Sequence, residues 1–422
     1  MLDIRLIREK PELVREALRR RGSDAPLDDL VAVDGRRRAL LVQADELKAE
    51  RNRVSKSIPR IADPAERERT VAEMRGVGDR IADLDREITE VEAETQRLAL
   101  ELPNLPDADV PDGADDTQNV LVRQSGEPTD LGFPAKPHWE LGEALGIINF
   151  EQGQRISGSR FYVLHGDASR LARALVAWML DLHRLQGYHE VAAPYIVREQ
   201  TLWASAHLPD FENNMYHDVQ DDFWLIPTSE APLTSLHAGE ILSKEDLPRQ
   251  YTAYSPNFRR EQISAGRDVR GIKRGHQFEK VEMYHVTLPE ESEAALDRLT
   301  AHAEETCDLL GLAWRTVERC IGDLGFKTRR GFDVEVWSPG VEEWLEVSST
   351  SNVGDFQARR AQIRFRREAG GRTEYAHTLN GTGLGLPRTL IAVMENYQQP
   401  DGSIIIPDAI RPYMCGQEVI AG

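Results

Sequence analysis

The sequence is poor in cysteine, has no long apolar run, and contains one extended region without an aromatic side chain. Cys307, Cys320 and Cys415 are its three cysteines, and none belongs to a CxxC pair. That spacing argues against a disulfide framework or a Cys-rich zinc site. It suits a reducing, cytoplasmic setting. No apolar run reaches the ~18 residues of a membrane-spanning helix, which argues against a transmembrane helix. The opening stretch MLDIRLIREKPELVREALRRRG alternates charge with aliphatics and lacks the apolar centre of a secretory signal. It reads as a first structural element, with Pro11 in the first turn of a helix and Gly22 at its end. The formal net charge of -19 argues against chain-wide affinity for nucleic acid, while leaving room for a local basic surface.

What is present divides the chain. Its 422 residues suit two or three domains and a large core. From about 28 to 102 there is no aromatic residue. Met74, Ile81, Ile88 and Thr95 recur every seven residues, as do Val77, Leu84, Val91 and Leu98. The two series share one helical seam. Val33, Leu40, Leu47 and Val54 repeat the spacing in the first half. Pro59 and Pro64 interrupt the helix between them. Two long antiparallel helices joined by a turn are expected. Their roughly 30 to 38 residues each span about 45 to 57 Å at 1.5 Å per residue. Such an arm serves either as a dimerisation coiled coil or as a lever that reaches a distant partner. Arg51, Arg53, Lys56 and Arg60 lie near its tip, with no acid between residues 51 and 62.

The linker ELPNLPDADVPDGADD follows. Beyond it, RLARALVAWMLDLHRLQGYHEV reads as a helix with Leu171, Leu175, Trp178, Leu182 and Leu185 on one face, stopping near Gly187. FWLIPTSE, QFEKVEMYHV, GFDVEVWS and EWLEVSS read as strands. The pattern implies an α+β fold with an antiparallel or mixed sheet, not βαβ alternation.

Residues 257–284, NFRREQISAGRDVRGIKRGHQFEKVEMY, gather seven cations (Arg259, Arg260, Arg267, Arg270, Lys273, Arg274 and Lys280) against four acids. The ends read as strands and QISAGRDVRGIKR as the loop of a hairpin. Period two places Phe278, Lys280, Glu282 and Tyr284 on one face. Arginine forks suit phosphate and carboxylate, and an aromatic face suits a base. The segment is therefore either a nucleotide pocket or a salt-bridged surface hairpin. In HTLNGTGLGLPRTLIAVMENYQ, Gly381, Gly383 and Gly385 are expected to open a helix, a place where backbone approaches an anion. Their spacing matches neither the P-loop nor the dinucleotide-binding pattern.

Together these stretches resemble the class II aminoacyl-tRNA synthetases. Residues 255–286 resemble motif 2, residues 377–398 motif 3, and residues 170–197, with Pro194, motif 1 at the family's dimer interface. PTSEAPL resembles the amino-acid loop of the serine, threonine and proline enzymes. The helical arm ahead of the core, with 24 residues after Gln398, resembles the bacterial seryl-tRNA synthetases. The resemblance implies an N-terminal tRNA-binding domain over 1–106, with the coiled-coil arm at about 28–102, and a catalytic domain over 107–422 built on an antiparallel sheet flanked by helices.

It also implies roles. Arg259 grips the α-phosphate and the amino-acid carboxylate. Arg260, Glu261 and Phe278 lie at the nucleotide, with Phe278 stacked on adenine. Arg274 and Gly275 lie near the outer phosphates. Arg388 covers the other adenine face and reaches the γ-phosphate. Glu346 and Ser349, flanking Val347 and Ser348 in the ATP site, hold Mg²⁺. Thr228, Ser229, Glu230 and Asn380 lie at the serine ammonium end, and Glu282 with Thr382 reads the serine hydroxyl. ATP and L-serine would give seryl-adenylate, and tRNA(Ser), with tRNA(Sec) where present, would accept the serine. A homodimer would bind tRNA across subunits, with Arg51, Arg53, Lys56 and Arg60 as candidate contacts. Three alternatives remain. A proline or threonine enzyme lacks room here for its anticodon domain. A homologue charging a carrier protein does not need the arm. A non-catalytic paralogue does not need Arg259, Glu282, Glu346 and Arg388 together.

Overall fold

The computed structural model describes residues 1–262 and 270–422. Arg267 and Asp268, within the expected hairpin loop, lie outside the described residues. The chain divides into two compact units, Met1–Pro103 and Asn104–Gly422.

The first unit is helical: α1 (Ile4–Glu9), α2 (Pro11–Arg20), α3 (Leu27–Ser57) and α4 (Pro64–Glu101). Pro11 opens α2, as expected, but the first stretch is two helices broken at Lys10 rather than one. Asp63 caps α4 by accepting from the Ala65 amide, and Pro64 occupies the first turn. Helices α3 and α4 run antiparallel, since Lys48 meets Asp85 at 2.8 Å and Arg37 meets Glu92 at 3.4 Å. Their seam buries Leu40, Ala44, Leu84, Ile88 and Val91. Asp34 is buried in this unit and receives a fork from Arg8 at 2.6 and 3.0 Å.

The second unit is built on eight strands: β1 (Val120–Ser125), β2 (His189–Glu190), β3 (Arg249–Phe258), β4 (Gln277–Thr287), β5 (Trp314–Glu318), β6 (Arg330–Ser338), β7 (Glu343–Gly354) and β8 (His377–Gly385). Their spatial order is β1-β5-β6-β7-β8-β4-β3-β2, antiparallel except where β2 pairs with β3. Helices α5 (Gly166–Leu185), α7 (Ser292–Leu309) and α9 (Leu386–Asn396) frame the sheet, and α6 (Glu230–Ser235) and α8 (Phe356–Ala361) add short segments. One sheet face carries Val281, Met283, Val334, Val336 and Leu379 into a core with Leu171 and Leu175 of α5, Leu296 and Leu299 of α7, and Leu390 and Ile391 of α9. The apolar face of α5 stops short of its last turn, because Leu185 is 78% exposed. Gly187, at φ 97°, turns the chain out of the helix.

Two expectations need correction. Gly381, Gly383 and Gly385 do not open a helix; they belong to β8, paired with β4 and β7, and α9 begins at Leu386. The reason is close packing. A Cβ on Gly381 would lie 2.1 Å from Leu299 Cδ2, and one on Gly383 would lie 2.2 Å from His183 Nε2. Gly381 and Gly383 thus admit helices to the sheet's back, whereas Gly385 lines the cavity on its front. Likewise, β3 ends at Phe258, so Arg259, Arg260 and Glu261 lie in the following loop, with Glu261 at φ 51°. FWLIPTSE also breaks early: the strand Phe223–Leu225 ends before Pro227, and Glu230 opens α6.

Candidate active site

The other sheet face opens into a cavity of about 490 Å³. It is lined by Thr228, Glu230, Arg259, Glu261, Arg274, Gly275, Phe278, Glu346, Val347, Ser349, Asn380, Thr382 and Arg388. Four other candidates do not line it. Glu282 is 1% exposed and lies beneath the lining. The Ser229 hydroxyl is bonded to Ser255. Arg260 donates to Met215 O at 2.7 Å and stacks over Tyr216. The Ser348 hydroxyl donates to the Thr382 carbonyl. Arg51, Arg53, Lys56 and Arg60 belong to the helical unit, where Arg51 is half-buried and the other three are exposed.

On β4, period two holds. Phe278, Lys280 and Glu282 share the cavity face, and Tyr284 continues it into a smaller core with Ala358 and Phe365. The loop after β3 is tied back to the strand pair by the Arg259 amide, which donates to His276 O at 2.9 Å. This places the Arg259 guanidinium 5.0 Å from the Phe278 ring centre and 5.6 Å from that of Phe211. Its Nε donates to Pro227 O at 3.2 Å. Burial lowers the Arg259 pKa, with Glu261 opposing. Arginine nonetheless stays charged, so the cavity holds a fixed cation between two aromatic rings.

Glu346 and Ser349 are three residues apart, which on a regular strand sets them on opposite faces. Here they share the cavity because β7 carries a bulge. Val334 pairs with Ser348 and Glu335 with Glu346, so Val347 is the extra residue. Arg388, at the start of α9, donates to Glu346 O at 2.7 Å and pairs with Glu346 Oε2 at 3.1 Å. Asp333 faces Ser349 across the strand pair, and burial pushes its carboxyl up to about 7 against the pull of Arg319. Glu346 and Ser349 offer a carboxylate and a hydroxyl, hard oxygen donors of the kind Mg²⁺ takes. Among the described residues no cluster of three or more His, Cys, Asp or Glu could hold a metal alone. Two protein oxygens suit an ion that completes its shell with phosphate and water. The residues therefore fit Mg²⁺.

The sequence reading missed several lining groups: Lys273, Lys280, Lys327, His207, Asp210 and Phe211. Lys280 stood on the predicted face without a role. It pairs with Glu282, and its Nζ donates to Thr228 Oγ1 at 2.7 Å. Lys327 pairs with Glu230 Oε1 at 2.6 Å, and that oxygen also accepts from Gln357 at 2.6 Å and Asn380 at 3.1 Å. His207 is buried, and desolvation drives its pKa well down. As a neutral ring it accepts from Lys327 at Nε2 (3.3 Å) and donates from Nδ1 to Ser205 Oγ (2.8 Å). Lys327, His207 and Gln357 come from three separate segments with no local motif. Only the folded chain brings them to Glu230.

Residues 211–397 match the tRNA synthetase class II core domain (G, H, P, S and T). Residues 1–106 match the seryl-tRNA synthetase N-terminal domain. The serine–tRNA ligase of Roseiflexus sp. (strain RS-1) is 60% identical over 421 residues, covering 100% of this chain and 99% of that protein. The solved seryl-tRNA synthetase of Pyrococcus horikoshii, complexed with ATP, is 36% identical with a TM-score of 0.95, covering 100% of this chain and 99% of the other. That of Naegleria fowleri, in complex with AMP, is 30% identical with a TM-score of 0.90 over 100% of this chain and 99% of its own. The chain belongs to the seryl-tRNA synthetase family.

Proposed function

We propose that this protein is a serine–tRNA ligase that first joins L-serine to ATP and then passes the serine to tRNA. The observation that carries the reading is one cavity with Arg259 between Phe278 and Phe211, over a floor where Thr228, Thr382 and buried Glu282 meet. Phe278 stacks on the adenine. Arg259, Arg274 and Arg388 neutralise the phosphates, with Lys273 and Arg260 adding positive potential nearby. Glu261 and Gly275 border the nucleotide. Arg259 also takes the serine carboxylate, which aligns it for attack on the α-phosphorus. The carboxylate oxygen forms the new bond to phosphorus and pyrophosphate leaves with the electron pair. No protein nucleophile is required; alignment and charge neutralisation supply the rate. Glu346 and Ser349 would hold Mg²⁺, which adds charge neutralisation at the phosphates when bound.

Glu230, oriented by Lys327, Gln357 and Asn380, receives the serine ammonium on its remaining oxygen. Glu282 and Thr382 receive the hydroxyl. Alanine leaves one oxygen of that carboxylate without a donor and is rejected. In the second step a ribose hydroxyl of the terminal adenosine attacks the acyl carbon and AMP leaves. The two-helix arm reaches tRNA(Ser) through Arg51, Arg53, Lys56 and Arg60. A second copy docks by the segment around Pro194, where Tyr195 and Ile196 are exposed. The solved relatives holding ATP and AMP support the nucleotide.

Amino-acid-dependent ATP–pyrophosphate exchange without tRNA, run with every proteinogenic amino acid, tests this. Exchange is expected with serine. Exchange with proline or threonine instead would refute the reading of the floor, and none at all would refute the roles of Arg259 and Glu346.

A further inference from the structure

The floor of the cavity contains more charge than a serine side chain requires. Lys280 and Glu282 stand two residues apart on the same face of β4, while Val281 between them is buried in the core behind. Lys280 is 8% exposed and Glu282 1%. Lys280 Nζ pairs with Glu282 Oε2 and donates to Thr228 Oγ1 at 2.7 Å. Thr228 donates in turn to Glu282 Oε2 at 3.3 Å, and accepts from the Glu230 amide at 3.3 Å. The Thr228 hydroxyl thus has its proton and both lone pairs engaged within the protein. Both contacts to the carboxylate fall on Oε2, which leaves Oε1 for a ligand.

We infer that Lys280 is a specificity-determining residue: it keeps Glu282 in its acceptor-only form, so that the side-chain subsite requires a hydroxyl donor. This rests on the proposed reading of Glu282 as the group that meets the substrate side chain. An ionised carboxylate only accepts hydrogen bonds, whereas a protonated one also donates and is less costly to leave unmatched. Rejection of alanine therefore depends on the charge state of Glu282. The groups that set that state are few. Burial pushes the Glu282 pKa up, Lys280 pulls it back, Glu230 of α6 pushes it up again, and Lys327 opposes. Arg259 adds a further favourable charge from the loop after β3. Lys280 is the one that touches the carboxylate. Without it, Glu282 takes up a proton at higher pH, and the subsite loses its demand for a donor.

The test compares serine and alanine in pyrophosphate exchange from about pH 6 to about pH 9. The proteins are wild type, Lys280→Gln, Lys280→Met, Lys280→Arg and Glu282→Gln, with the KM for ATP as a check on the rest of the cavity. The glutamine variant keeps a donor for Thr228 while losing the charge, and the methionine variant loses both. Wild type and Lys280→Arg are expected to hold a constant serine-to-alanine preference. Lys280→Gln and Lys280→Met are expected to lose it by about tenfold or more at the acid end, the scale of one charged hydrogen bond, and to regain it as pH rises. Glu282→Gln, which mimics the neutral carboxyl, is expected to be low at every pH. A preference in the glutamine and methionine variants that does not change with pH, whether normal or uniformly reduced, overturns the inference and makes Lys280 a packing group. A wild type that does not prefer serine over alanine overturns the functional reading itself.

Discussion

Replacing Gly383 by alanine tests whether the back of the sheet sets the geometry of its front. On β8, Asn380 and Thr382 line the cavity, and Gly381 and Gly383 alternate with them toward the helices. A Cβ on Gly383 would lie 2.2 Å from His183 Nε2 and 3.1 Å from its Cδ2, where ordinary contact begins at 3.4 Å. About one ångström must be taken up. His183 has little room to give, since it is wholly buried, bonded to Gln186 at 2.7 Å and packed against Tyr188. The strand must lift instead, and it carries Thr382 with it. Overpacking of this kind costs about 1–3 kcal/mol of stability. A displacement of about one ångström at a positioning residue costs on the order of 100-fold in rate. Serine-dependent pyrophosphate exchange and urea unfolding measure the two effects. Gly385→Ala is the control for stability, because its nearest atom would be Val347 O at 3.5 Å, and its urea midpoint should be close to wild type; since Gly385 lines the cavity, exchange activity is compared through the His183→Ala relief instead. Combining Gly383→Ala with His183→Ala opens the space, and the double variant should be more active than Gly383→Ala alone. Equal stability of the two alanine variants at 383 and 385, or no relief of activity from His183→Ala, would refute the argument.

Stability should fall on mild acidification. Burial holds His183 and His377 down at about 4 and His285 at about 3. The unfolded chain takes up protons near pH 6.5 while the folded one does not, so stability is full above that pH. It is lost as pH falls toward 4, by about 1.4 kcal/mol per histidine at pH 5.5. Three such groups remove roughly 4 kcal/mol, partly offset by the buried Asp333 carboxyl, which takes up its proton in the folded chain first and so gains stability over the same interval. Urea midpoints for residues 104–422 in the full chain that do not move between pH 7.5 and pH 5.5 would count against it. At the arm, Arg51→Ala with Arg53→Ala should leave exchange intact and weaken tRNA charging, with a shallower salt dependence of tRNA binding. Equal loss of both steps would refute a tRNA-specific role for these arginines.

Much of this architecture was legible wherever one physical period governs a segment. The heptad positions Ile81, Leu84, Ile88, Val91 and Leu98 are buried as their spacing requires. Period two on β4 likewise set Phe278, Lys280 and Glu282 toward the cavity and Val281 and Met283 toward the core. Legibility ended where the period breaks or where the chain returns from afar. Three-residue spacing on a strand assigns Glu346 and Ser349 to opposite faces, and only the bulge at Val347 brings them together. A bulge leaves little mark in a sequence, because it is decided by the partner strand. The glycines of β8 misled for a related reason. Glycine signals either a backbone conformation or an absence of volume, and here absence of volume is what α5 and α7 need. Read with period two, Asn-Gly-Thr-Gly already separates a polar face from an empty one. Lys327 and Gln357 obey no such rule. Each satisfies a buried carboxylate that sequence reasoning had already placed, so the useful question was which distant cation or amide would neutralise Glu230. Burial of an acid demands such a partner, and in this site its identity emerges only from the fold.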